Sequence, residues 1–293
     1  MRAYRYVTLD VFTDQRFGGN PLAVFTDARG LSDAEMQALA REMNLSETTF
    51  VLPPDDPSNT ARVRIFTPAT EMPFAGHPNV GTGYVVATES GGDLLRFEEI
   101  AGLVEVRVAR GADGAVGDVT IAAPQPLTLG TEFSPVQVAG AAGIEPGEVM
   151  TENHRPIVAS VGNPFAVMEV TLAALTRAAP DSAGMARANG SAPELDGRFR
   201  VYLYARDGGA IRARMFGGGL GVKEDAATGS AAAPLAALLL HLSGADRAAD
   251  DIVQGVEMGR PSLLRTTATR GPDGIRATVG GGCVKVMEGQ AFL

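Results

Sequence analysis

The sequence repeats itself, and the repeat constrains the fold more than any other feature. Glu71-Met-Pro-Phe-Ala-Gly76-His77 and Glu224-Asp-Ala-Ala-Thr-Gly229-Ser230 share a glutamate, a glycine five residues on and a polar side chain after it, 153 positions apart. Upstream, Arg62-Val-Arg64-Ile-Phe66 matches Arg212-Ala-Arg214-Met-Phe216 at an offset of 150, and Gly19-Asn-Pro-Leu-Ala-Val24 matches Gly162-Asn-Pro-Phe-Ala-Val167 at 143. Three matched segments in one order, at spacings near half of the 293 residues, describe an internal duplication. Each half ends a strand in a polar loop and starts a buried helix. Packed about an approximate two-fold axis, the two helix N-termini can face one cleft.

The second copy is the more explicit. Residues 224–240 open with two carboxylates, turn at Gly229, offer the Ser230 hydroxyl and run apolar for more than two helical turns. Thr228 or Ser230 suits the cap, and Pro234 argues for a helix that starts slightly after Ser230. The first N–H groups of a helix have no internal partner, so they suit a carboxylate or phosphate, here beside Asp225 as a candidate proton-transfer group. The same residues also describe a capped core helix behind a solvated acidic turn. In the first copy the helix is expected from Pro78 or Asn79 to about Thr88, with His77 just before it, either donating to an anion or acting as a cap.

Elsewhere, residues 4–12 and 22–26 read as strands around the Gly18-Gly-Asn-Pro21 turn. Ser32 and Glu35 form a capping-box pattern for a helix through about Met43. Glu47 follows, at the entry to a strand of β-formers; buried there it would have a raised pKa, although the local pattern also fits a surface glutamate at a strand edge. Strands are expected at 60–66, 94–108, 116–122, 157–160, 165–170, 199–206, 211–216, 262–269 and 275–286, with short helices near 135–143 and 171–179. Residues 180–198, rich in Gly, Pro, Ala and Ser, read as a mobile loop. Pro124-Gln-Pro126 gives the boundary between halves 1–124 and 125–293, with the last strand left able to return to the first half.

The net charge of −9 without a Lys/Arg cluster argues against nucleic acid. The single cysteine, Cys283, excludes an internal disulfide framework and fits a reducing compartment. The N-terminus lacks a signal-peptide h-region and the apolar run Ala231–Leu240 is too short to span a bilayer, so a cytoplasmic protein without membrane contact is expected. His154 and His241 have no second ligand at metal spacing, so no metal is predicted.

Together, Ser46-Glu47-Thr, Glu71-x-Pro-Phe-Ala-Gly-His77-Pro, Gly162-Asn-Pro, Glu224-Asp225-x-x-Thr-Gly-Ser230-Ala and Gly259-Arg-Pro-Ser262 resemble the phenazine-biosynthesis PhzF-like isomerase family. The resemblance runs from Val11 to the C-terminus. It implies an α+β, diaminopimelate-epimerase-like fold: two pseudo-symmetric domains, each a curved sheet or barrel wrapped around a central helix, with the active site between them. It further implies a homodimer and a cofactor-free isomerase acting on a small carboxylate-bearing substrate such as trans-2,3-dihydro-3-hydroxyanthranilate. By motif, Glu47 is the acid/base, His77 and Asp225 assist, and Gly76, Asn79, Gly229 and Ser230 hold the substrate. Gly217-Gly218 replace a frequent Ala-Pro, which points to a changed loop and substrate. An amino-acid epimerase or racemase using Glu47 and Asp225 as non-thiol bases, or a non-catalytic binder of small anions, remains an alternative.

Overall fold

The computed structural model describes residues 1–217 and 223–293. They form two units: Met1–Ala122 with Gly280–Leu293, and Ala123–Val279.

In the first unit, β1 (Ala3–Val11) pairs antiparallel with β2 (Asn20–Phe25) and with the closing strand Cys283–Phe292. Next comes α1 (Asp33–Met43), whose Ser32 and Glu35 cap each other reciprocally as the sequence predicts. β3 (Glu47–Leu52) lies parallel to β2 and antiparallel to β4 (Ala61–Phe66). The two-residue β5 (Glu71–Met72) folds back on β4, and α2 (Gly76–Ser90) follows. β6 (Leu94–Glu99) then runs parallel to β4, and β7 (Gly102–Arg110) and β8 (Val116–Ala122) complete the unit.

The second unit begins with β9 (Thr128–Glu132) and α3 (Pro135–Val138). From there it repeats the same plan: β10 (Ile157–Ser160) antiparallel to β11 (Pro164–Glu169), then α4 (Leu172–Arg177) and α5 (Ser182–Asn189). β12 (Val201–Asp207) lies parallel to β11 and antiparallel to β13 (Ala210–Phe216). β13 carries the two-residue β14 (Glu224–Asp225). α6 (Gly229–Ser243) precedes β15 (Arg247–Gln254), which is parallel to β13; β16 (Ser262–Gly271), β17 (Gly274–Gly281) and β18 (Cys283–Phe292) close the chain. Strand directions and the placing of a 15-residue helix match, step for step, between the units.

Both helices are buried by small residues. A Cβ at Gly81 of α2 would lie 2.5 Å from Leu22 Cδ2 and 2.8 Å from Val11 Cγ2, so glycine there lets the strands close on the helix. α6 uses alanines instead: Ala233, Ala236 and Ala237 pack with Leu240, Ala268, Ile275 and Ala277.

Several sequence expectations are corrected. α2 begins at Gly76, so His77 lies inside its first turn rather than before it. α6 begins at Gly229, not after Ser230; Pro234 stands inside it and supplies no N–H to the carbonyl four residues back. The 94–108 run is a hairpin, broken by a turn before Gly102, whose φ is +118°. The 275–286 run is two strands, divided at Gly282, where Thr13 N–H donates to the Gly282 carbonyl at 3.1 Å. Residues 180–198 contain α5 with Met185, Ala188 and Leu195 buried, because Gly184 lets that helix rest on the Gly140 backbone. β15 lay outside every expected strand. Of the Gly217–Gly219 expectation, only Gly217 is among the described residues; its N–H donates to the Lys223 carbonyl at 3.2 Å.

Candidate active site

Each unit frames its helix start with one matched ion pair. Arg64 grips Glu71 through Nε and Nη2, both at 2.7 Å, and Arg214 grips Glu224 at 2.7 and 2.9 Å. The guanidinium carbons stand 5.1 Å over Phe66 and 4.9 Å over Phe216. Planar bidentate pairing fixes β5 on β4 and β14 on β13, and with them the loops that enter α2 and α6. Glu71 and Glu224 are therefore occupied in holding these loops.

In the first unit, Glu47 opens β3 and His77 is the second residue of α2. Glu47 Oε2 lies 3.5 Å from His77 Nε2, with the side chains 18% and 6% exposed. His77 Nδ1 is 3.5 Å from Nδ2 of Asn20, the buried first residue of β2, and Asn20 Oδ1 accepts from Ser46 Oγ at 3.3 Å. These contacts tie the His77 ring to Asn20 on its Nδ1 side and turn Nε2 toward Glu47. Burial pushes the Glu47 carboxyl up to about 6, and the Ser46 hydroxyl pulls it back. Gly76 and Asn79 share this first turn, and Asn79 Nδ2 donates to the carbonyl of the N-cap residue Ala75 at 3.1 Å. No acidic side chain and no side-chain cap occupies the start of α2, which leaves its polarity for a ligand anion.

In the second unit, Asp225 ends β14 and Gly229 and Ser230 open α6, which also lacks a side-chain cap and acidic residues in its first turn. The N-cap Thr228 donates its hydroxyl to Asp225 Oδ2 at 2.6 Å. Gln254, fully buried, clamps this turn. Its Nε2 donates to the Asp225 carbonyl at 2.9 Å and to Thr228 Oγ1 at 3.0 Å, while its Oε1 accepts from Thr228 N–H at 3.2 Å and from Tyr202 at 3.1 Å. Because Gln254 donates to Thr228 Oγ1, the threonine proton is directed onto Asp225. Ser262 adds a tie from its hydroxyl to the Ala226 carbonyl at 3.1 Å. Gly255, at φ +78°, is required here, since a Cβ would lie 2.5 Å from the Ala226 carbonyl oxygen.

The structure thus gathers Glu47, His77, Gly76 and Asn79 in the first unit, and Asp225, Gly229 and Ser230 in the second. Asn20 and Gln254 were missed. Asn20 stood in the repeated Gly-Asn-Pro motif, whereas Gln254 carries no motif. Cys283 is buried and its thiol is held well above its ordinary pKa, chiefly by burial, which unsuits it as a base. No helix among the described residues is long and apolar enough to cross a membrane.

The family model described as phenazine biosynthesis-like protein (PhzC-PhzF) matches residues 9–289. The chain belongs to this family. A trans-2,3-dihydro-3-hydroxyanthranilate isomerase of Pseudomonas aeruginosa is 40% identical over 99% of this chain and 100% of its own. An uncharacterized isomerase of Mesorhizobium japonicum is also 40% identical, over the whole of both chains. This family member is an isomerase. Among solved structures, the PhzF-family phenazine biosynthesis protein of Bacillus anthracis superposes with a TM-score of 0.89 at 22% identity, covering all of both chains. A hydroxyproline epimerase of Agrobacterium vitis shares the fold, with a TM-score of 0.61 at 14% identity over 99% of this chain and 92% of its own. The fold is α+β and epimerase-like.

Proposed function

We propose that this isomerase moves a proton between two carbons of a small cyclic amino acid bearing a carboxylate, such as trans-2,3-dihydro-3-hydroxyanthranilate, without a cofactor. The observation that carries the reading is Glu47: a carboxyl pushed up to about 6 by burial, with the Nε2 side of His77 3.5 Å away. Such a group is mostly ionised at neutral pH yet holds a proton well enough to return it. Glu47 takes the proton as the substrate C–H bond breaks, and the electron pair spreads into the ring double bonds. The Glu47 O–H bond then breaks as a new C–H bond forms on another ring carbon. Electrons balance with no oxidant, and the His77 ring, with Nε2 turned toward Glu47, steadies the carboxylate as it is regenerated.

The open first turns of α2 and α6 support a role for Gly76, Asn79, Gly229 and Ser230 in holding the substrate carboxylate. The duplication and the family membership support assigning Asp225 to the same substrate as Glu47. The reading includes a cytoplasmic homodimer, which light scattering would report as twice the 30.4 kDa chain mass. The test is NMR of trans-2,3-dihydro-3-hydroxyanthranilate in deuterated water. Wild type and Cys283→Ser should exchange a ring C–H and form the isomer, and Glu47→Gln should do neither. Undiminished exchange in Glu47→Gln removes Glu47 from the mechanism; deuterium incorporation with inversion at one carbon makes the enzyme an epimerase instead.

A further inference from the structure

The duplication gives Gln254 a counterpart in the first unit. Arg62 stands opposite Glu98 in the parallel β4–β6 ladder, and Arg212 stands opposite Val253 in the parallel β13–β15 ladder. Arg62 and Arg212 are matched residues of the repeat, so the next residue along, Glu99, takes the place of Gln254. Each is the last residue of its strand. Gln254 holds the N-cap of α6 through the Thr228 amide and hydroxyl, but the N-cap of α2 is Ala75, which has no hydroxyl.

One turn further on, Asn79 reaches back to the Ala75 carbonyl with Nδ2 and leaves Oδ1 buried without a hydrogen-bond partner among the described residues. Both carboxyl oxygens of Glu99 are in the same condition. Burial pushes the Glu99 carboxyl up to about 8, against the pull of Asn79. The charged groups around it are Glu98 on its own strand, Arg62 opposite Glu98 on β4, and Asp55 and Asp56 of the neighbouring turn, of which Glu98, Asp55 and Asp56 line one recess with it and Asp55 pairs with Arg62. A neutral carboxylic acid has the shape of the glutamine amide and, like it, offers both a donor and an acceptor.

We propose that Glu99 is a positioning residue, acting as a neutral acid in the role that Gln254 fills in the second unit: it braces Asn79 and the first turn of α2, and so holds Gly76 and His77 beside Glu47. Only the kinetic part rests on the function proposed above. A folded-state pKa above the unfolded value means that the contribution of Glu99 to stability is complete below about pH 4.5 and is lost as pH rises to about 8.

The experiment compares wild type, Glu99→Gln and Glu99→Ala by thermal melting from pH 5 to 9.5 and by deuterium exchange of trans-2,3-dihydro-3-hydroxyanthranilate. Wild type should fall progressively below Glu99→Gln in melting temperature between pH 5 and 8, with a constant gap above. Glu99→Ala should lose tenfold or more in kcat at pH 7 with KM within threefold, and Glu99→Gln should restore that loss and hold its rate at pH 9, where wild type has dropped. Parallel melting curves, or a Glu99→Gln as impaired as Glu99→Ala, overturn the proposal. If Glu99→Ala does not fold, the comparison with Glu99→Gln decides alone. An inactive wild type removes the substrate reading, and the melting curves still decide the state of Glu99.

Discussion

Glu47→Gln is expected to make the protein more stable while removing its activity. The folded-state pKa of Glu47 is raised from 4.5 to about 6, chiefly by burial. Keeping that carboxylate ionised above pH 6 therefore costs the folded state about 2 kcal/mol, from roughly 1.4 kcal/mol per pKa unit. The sign follows from proton counts. Between pH 4.5 and 6 the folded protein binds more protons at this site than the unfolded chain, so stability falls as pH rises through the window and then levels. Glutamine has the same shape and no charge to desolvate. For a 293-residue chain, about 2 kcal/mol corresponds to a melting shift of about 3 °C. Calorimetry of wild type and Glu47→Gln should give matching midpoints at pH 4 and a gap in favour of the variant at pH 7.5. Glu99 titrates in both proteins, so its wider window cancels from the comparison. A variant no more stable than wild type at pH 7.5, or an equal gap at pH 4, would refute the argument that Glu47 is held ionised against its surroundings.

Three further outcomes follow from the contacts. Thr228→Val, which removes the hydroxyl that Gln254 directs onto Asp225, should lower kcat about 10- to 100-fold with KM little changed, and Thr228→Ser should recover most of it; steady-state kinetics with an Asp225→Asn control checks this. Gln254→Leu should destabilise by about 3 kcal/mol or more in denaturant unfolding, because it strands buried groups of Tyr202, Asp225 and Thr228. Glu224→Gln should cost about 3 kcal/mol by leaving the buried Arg214 guanidinium only the more distant Glu257 carboxylate at 4.0 Å, and Glu71→Gln should cost less, because Arg64 is more exposed and keeps a closer pair with Asp33.

The duplication was legible because its physical content lies in side chains that recur at fixed spacing. Of the matched arginines, Arg64 and Arg214 proved to pair bidentately with the matched glutamates, and the capping box at Ser32 and Glu35 formed as written. What sequence could not supply was tertiary. The first five residues of β15, Arg247-Ala-Ala-Asp-Asp251, have little strand preference, only Ile252 and Val253 favour a strand, and β13 and β16 flank and pair with it. α5 looks like a loop until Gly184 is seen against Gly140. α2 starts two or three residues earlier than expected, at a buried Gly76 and His77, with no capping side chain to announce it. The equivalence of Glu99 and Gln254 is visible only through the register of two parallel ladders. Glu47 could be proposed from the motif, but its burial and its closeness to His77 needed coordinates.

In the proposed reaction one carboxyl carries the proton from donor carbon to acceptor carbon. The most direct measurement uses substrate deuterated at the donor carbon, turned over in ordinary water and analysed by NMR and mass spectrometry. Wild type should deliver part of the deuterium to the acceptor carbon, and Glu47→Gln should give no product. Turnover by Glu47→Gln that still carries the label across would contradict it.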